Sequence, residues 1–287
     1  PFVSLNYINP NGKELRTELW SDDYFFSKDG CDVRIGDCYV KGDLSHYDIY
    51  FKNEDAECKL TLDASVPSWR PESGHIYFGK KDYFAWLPSV PEGKMNGMLK
   101  MKDESIELCG TGYHDHNFGN KLMILLMNDW YWGRAKIGDY VVVSSYIYAN
   151  KKDGYKTVPI FMLAKDGKIL TGDAFKYLKY EEKDFIKDPY TKRHVAKTLI
   201  YDYNEKENGI HYRITYKKGD EEVERQVMTD IVGRPLAIMF YLLGFRGSYH
   251  RMGGTVLLER FDGDEIIERI EAPAMWEQMC FKPDRIK

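Results

Sequence analysis

The chain has 287 residues, 43% of them hydrophobic and 30% charged, with a formal net charge of −4. That length suits two β units of ordinary size, and the composition supplies a buried core and argues against disorder along the whole chain. Lys and Arg are scattered rather than gathered into a stripe, which argues against a nucleic-acid partner. No run approaches the roughly 18 apolar residues that a spanning helix needs.

Taken in chain order, period-2 alternation with β-branched and aromatic enrichment predicts strands over residues 38–51, 56–66, 95–101, 105–112, 130–137 and 140–149. Turn signals separate them: Asn11-Gly12, Lys28-Asp29-Gly30, Pro91-Glu92-Gly93, Ile137-Gly138-Asp139 and Lys165-Asp166-Gly167-Lys168, the last two with hairpin chemistry. A second series of strands is expected over 174–181, 192–204, 209–217, 221–229, 248–260 and 265–273. Their spacing is that of an antiparallel sandwich or barrel, and no helical pattern alternates with strands as a βαβ fold requires. The expectation is an all-β chain of two domains, residues 1–172 and 173–287. Two apolar stretches interrupt the pattern, GNKLMILLMN at 119–128 and RPLAIMFYLLGFRG at 234–247. Each reads as a short helix, either a buried plug at a barrel end or a lid over ligand.

Aromatic residues reach 15%, with 22 Tyr and 6 Trp, more than core filling alone demands, and point to β structure around an apolar cavity. The five cysteines, Cys31, Cys38, Cys58, Cys109 and Cys280, are odd in number and lack CxxC spacing. They argue against a disulfide framework or a zinc ribbon and fit a reducing cytoplasm. The chain opens at Pro1 without a leader, so an export signal, if one is encoded, has been removed.

The segment that carries chemistry is GTGYHDHNFG, residues 110–119, which crowds His114, Asp115, His116 and Asn117 between glycines behind Tyr113. On a continuing strand, His114 and His116 face one side and Asp115 and Asn117 the other; a bend at Gly112 or Gly119 would let three of them converge. A desolvated Asp115 can act as a proton donor, or it can hold a histidine in one tautomer and leave the imidazolium of His114 or His116 as the acid. The same residues can instead form a buried network that only satisfies backbone groups. Two histidines one residue apart with one carboxylate lack a further convincing ligand nearby, and no metal is expected.

Next comes WYWGR, where alternation puts Trp130, Trp132 and Arg134 on one face and Tyr131 on the other. Indole faces stabilise a developing carbocation and an Arg among them an oxyanion, although a Trp-rich core strand with a snorkelling Arg reads the same way. Trp69, Trp86 and Tyr83 flank the proline-containing loops VPSWRP and FAWLPSVPEG, and Tyr146 and Tyr148 alternate along the strand after the Trp motif. They are the other candidates for an aromatic wall. His250, Arg251 and Trp276 are further ones.

The succession FAWLPSVPEGKMNGMLK, GTGYHDHNFG and WYWGRA resembles the family of carotenoid 1,2-hydratases (hydroxyneurosporene-synthase type), AttH-like proteins and fungal Diels-Alderases, most firmly over residues 69–148. The resemblance implies two calycin-like, or lipocalin-like, β domains with an apolar cavity at or near their junction. It also implies members that hydrate isolated alkenes or fold polyenes into rings without any cofactor. Family members usually carry Trp where this chain has Phe118, which keeps a ring and loses an indole N–H. The expected activity is cofactor-independent hydration of an apolar alkene, isoprenoid or polyene, with Asp115, His114, His116, Asn117 and Arg134 as catalytic candidates. Trp69, Trp86, Tyr113, Phe118, Trp130, Trp132, Tyr146 and Tyr148 are the substrate-binding candidates. Cyclisation of a polyene and carriage of a hydrophobic small molecule stand beside it.

Overall fold

The computed structural model describes residues 1–12, 14–71, 73–102 and 104–286. The chain divides into two compact units, one of Pro1–Trp69 with Pro88–His116 and one of Arg70–Leu87 with Asn117–Lys287. Both are built from antiparallel strands, so the chain is all-β.

In the first unit, β1 (Phe2–Ile8) and β2 (Glu14–Trp20) form a two-stranded ribbon. A meander follows: β3 (Tyr24–Phe26), β4 (Cys31–Ile35), β5 (Cys38–Gly42), β6 (His46–Lys52) and β7 (Ala56–Ala64). Alternation sets the inward face, as in β7, where Ala56, Cys58 and Leu62 are buried while Lys59 is exposed. Cys38, Phe51, Ala56, Cys58 and Leu99 make one core cluster, packed by Val3, Leu5 and Leu19 of the ribbon. Tyr47, Leu62 and Val90 make another. All five cysteines are free.

Strand β8 (His75–Phe78) belongs to the second unit and pairs with the start of β9 (Asp82–Met101), whose residues from Pro88 onward lie in the first unit and pair with β7. The loop expected around Pro88 and the turn at Pro91-Glu92-Gly93 are therefore parts of a strand. Both prolines fall between the stretch of β9 paired with β8 and the stretch paired with β7, so neither of those two strands asks an N–H of them. Pro88 contributes its carbonyl, which accepts from Trp69 N at 3.0 Å. Strand β10 (Glu104–Gly119) lies beside β9 in the sheet order and crosses the division between units at His116 and Asn117.

The second unit holds α1 (Met123–Leu126), β11 (Met127–Ile137), β12 (Tyr140–Ala149), β13 (Thr157–Lys165), β14 (Lys168–Ile169), α2 (Ala174–Tyr177), β15 (Leu178–Lys187), β16 (His194–Glu205), β17 (Ile210–Val227), α3 (Met228–Val232), α4 (Arg234–Leu242), β18 (Ser248–Asp262) and β19 (Glu265–Cys280). Both hairpins read from sequence are present: Gly138 and the pair Asp166 and Gly167 adopt positive φ between the strands they join. The nine-stranded sheet runs β14-β13-β12-β11-β19-β18-β17-β16-β15. It curls into a barrel, for Tyr146 of β12 stacks on Tyr180 of β15 with ring centroids 4.0 Å apart although six places separate those strands in the order.

A boundary near residue 172 falls inside this sheet, so domains 1–172 and 173–287 are not the compact units. The reason is the pairing of β11 with β19, Trp132 opposite Glu277, which joins strands on either side of residue 172 into one ladder. Helices α1 and α4 fall within the two apolar stretches, α2 takes the first residues of a segment expected as strand, and α3 begins in the last residues of another.

The barrel interior is aromatic and hydroxyl-bearing. Tyr131, Tyr201, Tyr203, Tyr216 and Trp276 are buried within it. Tyr131 Oη accepts from Ala196 N at 2.9 Å and from Gln278 Nε2 at 3.0 Å, and Ser144 pairs with Tyr216 at 3.1 Å. Trp276→Ala should cost about 3–5 kcal/mol, read as a lowered urea midpoint with the denaturant slope unchanged; a cost below about 1 kcal/mol would contradict its place in the core.

Candidate functional site

The HDHN block lies on the continuous strand β10, its first three residues in the first unit, and there alternation holds. Tyr113 and Asp115 share a face, with the Tyr113 hydroxyl donating to Asp115 Oδ2 at 2.9 Å. His114 points the other way and packs edge-on against Tyr47, ring centroids 4.5 Å apart. Burial holds the His114 imidazole below its usual value, offset in part by the negative charge of Asp115 and reinforced by His116. A neutral ring at pH 7 can accept or relay a proton, but it does not serve as an imidazolium acid. His116 is exposed and Trp69 is half-buried.

In the second unit Asn117 and Phe118 continue the strand, both exposed. The Phe118 ring meets His75 and Tyr83 edge-on at 5.8 and 6.3 Å. Gly119 is where the chain passes Tyr83 most tightly, since a Cβ there would lie 2.6 Å from the Tyr83 carbonyl oxygen. Trp86 is buried, its N–H donating to Gly74 O at 3.1 Å.

Strand β11 alternates as its sequence implies. Tyr131, Gly133, Ala135 and Ile137 are buried, while Trp130, Trp132 and Arg134 occupy the opposite, half-buried face. Register separates the expected aromatic wall. Tyr146 lies opposite Tyr131, and Tyr148 opposite Asp129, so both tyrosines point into the barrel, away from the Trp130 and Trp132 side. The one-residue period of a strand decides this, and only the pairing partner reveals it. Tyr148 belongs instead to a buried charge cluster at the barrel end. Its hydroxyl donates to Glu182 Oε1 at 2.9 Å, and Arg285 lies 3.3 Å from its ring centroid. Arg285 also binds Asp129 Oδ2 at 2.7 Å and Glu182 Oε1 at 3.1 Å.

The Trp face gains residues from the far end of the chain. Opposite Trp132 stands Glu277, opposite Glu277 stands Arg251, and opposite Arg251 stands Glu224, a row across four strands. Burial pushes the Glu277 carboxyl above its ordinary value, partly offset by the Tyr249 hydroxyl, which donates to Glu277 Oε2 at 2.5 Å, and by Arg251 at 3.5 Å. Glu277 and Tyr249 were not singled out in the sequence. The available signal was alternation in WEQM, which sends Trp276 inward and therefore Glu277 outward. The same parity places His250 inward, buried, with Glu222 at Nε2.

Among the described residues, Asp188, Glu222 and His250 form the grouping able to approach one ion, their ligand atoms within 4.8 Å of one another. Arg225 at 3.1 Å from Asp188 and Lys218 at 2.7 Å from Glu222 already balance both carboxylates, which opposes a divalent cation there.

Because the folded His114 binds its proton less readily than the unfolded chain, stability rises with pH across the window that ends near 6.5 and is reduced below it. His114→Gln should remove that acid-side loss, flattening the difference between urea midpoints measured near pH 8 and near pH 5. An unchanged difference would assign the loss to other groups.

Comparison with known proteins agrees with the architecture. The family model Diels-Alderase-like matches residues 36–280. A protein of Chlorobaculum tepidum named hydroxyneurosporene dehydrogenase is 30% identical over 155 residues, a match spanning 46% of this chain and only 36% of that relative's length. The fold is similar to that of CghA, solved with Sch210972, at TM-score 0.67 and 13% identity over 97% of this chain and 79% of that one. It is also similar to kievitone hydratase from Nectria haematococca, at TM-score 0.55 and 11% identity over 98% and 83%, and to a putative AttH from Nitrosomonas europaea, at 0.54 and 12% over 93% and 76%. With a match that extends over most of its length and through both units, the chain belongs to the Diels-Alderase-like family.

Proposed function

We propose that this protein is a cofactor-independent hydratase of an apolar alkene, isoprenoid or polyene. The observation that carries the reading is the row on β11, β19 and β18, in which a carboxyl whose hold on its proton is strengthened by burial, Glu277, stands cross-strand from Trp132 and is held by Tyr249. A protonated carboxyl beside an indole can deliver a proton to one alkene carbon while the π face stabilises the cation left on the other. Water then adds to that cation and returns a proton to the carboxylate, so the sum is alkene plus water giving an alcohol. Asp115, held by Tyr113 and next to a neutral His114, is the second carboxyl able to take either proton-transfer role. Arg134 stands on the Trp face and suits stabilisation of an anion.

A second reading, cyclisation of a polyene, draws its support from the family description Diels-Alderase-like. In that case the same residues shape and polarise a folded chain and no water is incorporated.

Incubation with acyclic isoprenoids and polyenes in heavy-oxygen water separates the readings: a product heavier by labelled water supports the hydratase, and an isomer of unchanged mass the cyclase. Ligand retained without product leaves a carrier. Asp115→Asn is expected to lower kcat by about 10²–10⁴-fold with ligand affinity changed only a few-fold; turnover at the wild-type rate would remove Asp115 from the chemistry. If Glu277 is the acid, activity falls as pH rises through its elevated value, and Glu277→Gln abolishes both the activity and that limb of the profile. A Glu277→Gln enzyme with the wild-type profile leaves the role to Asp115.

A further inference from the structure

We propose that one end of the barrel in the second unit docks on an anionic phospholipid bilayer, with α4 laid in the interface and phosphate headgroups taken by the cations around it. The proposal is independent of the reaction above. Surface helices ordinarily turn their apolar stripe toward the core. In α4 the arrangement is reversed: among its described side chains only Ala237 is buried, while Ile238, Met239 and Leu242 form an outward stripe, exposed to 59%, 47% and 84%, continued by Leu243 at 62%. No acidic residue occurs between Arg234 and Gly247.

The second apolar stretch reaches the same end. Phe281 N donates to Asn128 O and Arg246 N to Phe281 O, both at 2.8 Å, tying the segment after α4 to the start of β11 just beyond α1. There Leu122 and Leu125 are exposed. Two aliphatic surfaces thus border one barrel end, more than the scattered apolar residues of an ordinary surface.

Unpaired cations surround them. Among the described residues, Lys192, Arg234, Arg246 and Lys282 make no ion pair with a carboxylate. Lys282 stands 3.5 Å from the Phe245 ring centroid, and the charge that bears on it is the like charge of Lys152. Beside α4 opens a cavity of about 300 Å³ lined by Tyr190, Lys192, Arg193, Val227, Tyr241 and Arg246. Arg193 is neutralised by Asp284 at 3.2 Å, and Asp230 accepts from the Tyr190 hydroxyl at 2.8 Å. The positive charge offered to a ligand there is that of Lys192 and Arg246, whose guanidinium donates to the carbonyls of Tyr241 and Phe245. Aliphatic side chains at the level of acyl chains, tyrosines at the boundary and cations at the phosphates are the order that a bilayer surface presents. A second copy of the chain would bring the same unpaired cations face to face, which opposes self-association through this patch.

Sedimentation of the full chain with vesicles tests this, comparing pure phosphatidylcholine with vesicles containing about a third phosphatidylserine. The expected result is binding to the anionic vesicles and little to the neutral ones. Lys192→Glu with Arg246→Glu should weaken binding at least about 10-fold, and Ile238→Asp with Leu242→Asp should abolish it. All four positions are exposed, and unchanged thermal unfolding of each variant would show that it folds. Absence of binding to anionic vesicles overturns the proposal. So does a chain that is dimeric in light scattering and becomes monomeric on Leu242→Asp, because a second copy would then cover the stripe.

Discussion

Close approach at Gly133 governs the second unit. A Cβ at that position would lie 3.1 Å from the Tyr216 ring and hydroxyl and 3.1 Å from Trp276 Cβ, so a side chain there would press on both residues and β11 approaches them closely because position 133 has none. With Gly133 inward, alternation leaves no choice for its neighbours: Trp132 and Arg134 must face outward. The indole of Trp276 fills the space so created, and its neighbour Glu277 is turned to the outer face beside Trp132. One small residue therefore links core packing to the placement of the groups assigned here to chemistry.

The charged groups divide by their surroundings. Arg285 lies between Asp129 and Glu182 at the barrel end with each carboxylate engaged, which ties the last described residues into the barrel. Such a buried group holds geometry, since removing the cation would leave two carboxylates uncompensated. Glu277 is held by a hydroxyl at 2.5 Å and more distantly by Arg251, so burial prevails over its partners and favours the protonated form. Burial pushes Glu182 above its ordinary value as well, despite Arg285 and the Tyr148 hydroxyl, so what sets Glu277 apart is its place cross-strand from Trp132 on the outer face.

Much of the strand content was legible because a strand half-buried in a sheet writes its two faces as a period of two. The HDHN and WYWGR segments were legible for the same reason, and the structure keeps their alternation. Where local signals misled, a nonlocal partner was responsible. Pro88 and Pro91 suggest loops until β7 and β8 are seen to pair on either side of them. Tyr146 and Tyr148 look like continuations of the Trp wall until the ladder sets them opposite Tyr131 and Asp129.

The sequence by itself determined the fold class, the family resemblance and the faces of individual strands, because these depend on side-chain periodicity and on short motifs. Only the tertiary structure decided where the chain divides, which carboxyl stands beside Trp132 and where the apolar helix meets unpaired cations. These depend on pairing between residues far apart in the chain, as in Trp132 with Glu277 or Asn128 with Phe281. Hydrogen-bonded registry of that kind follows from how whole strands settle against one another, and no local pattern encodes it.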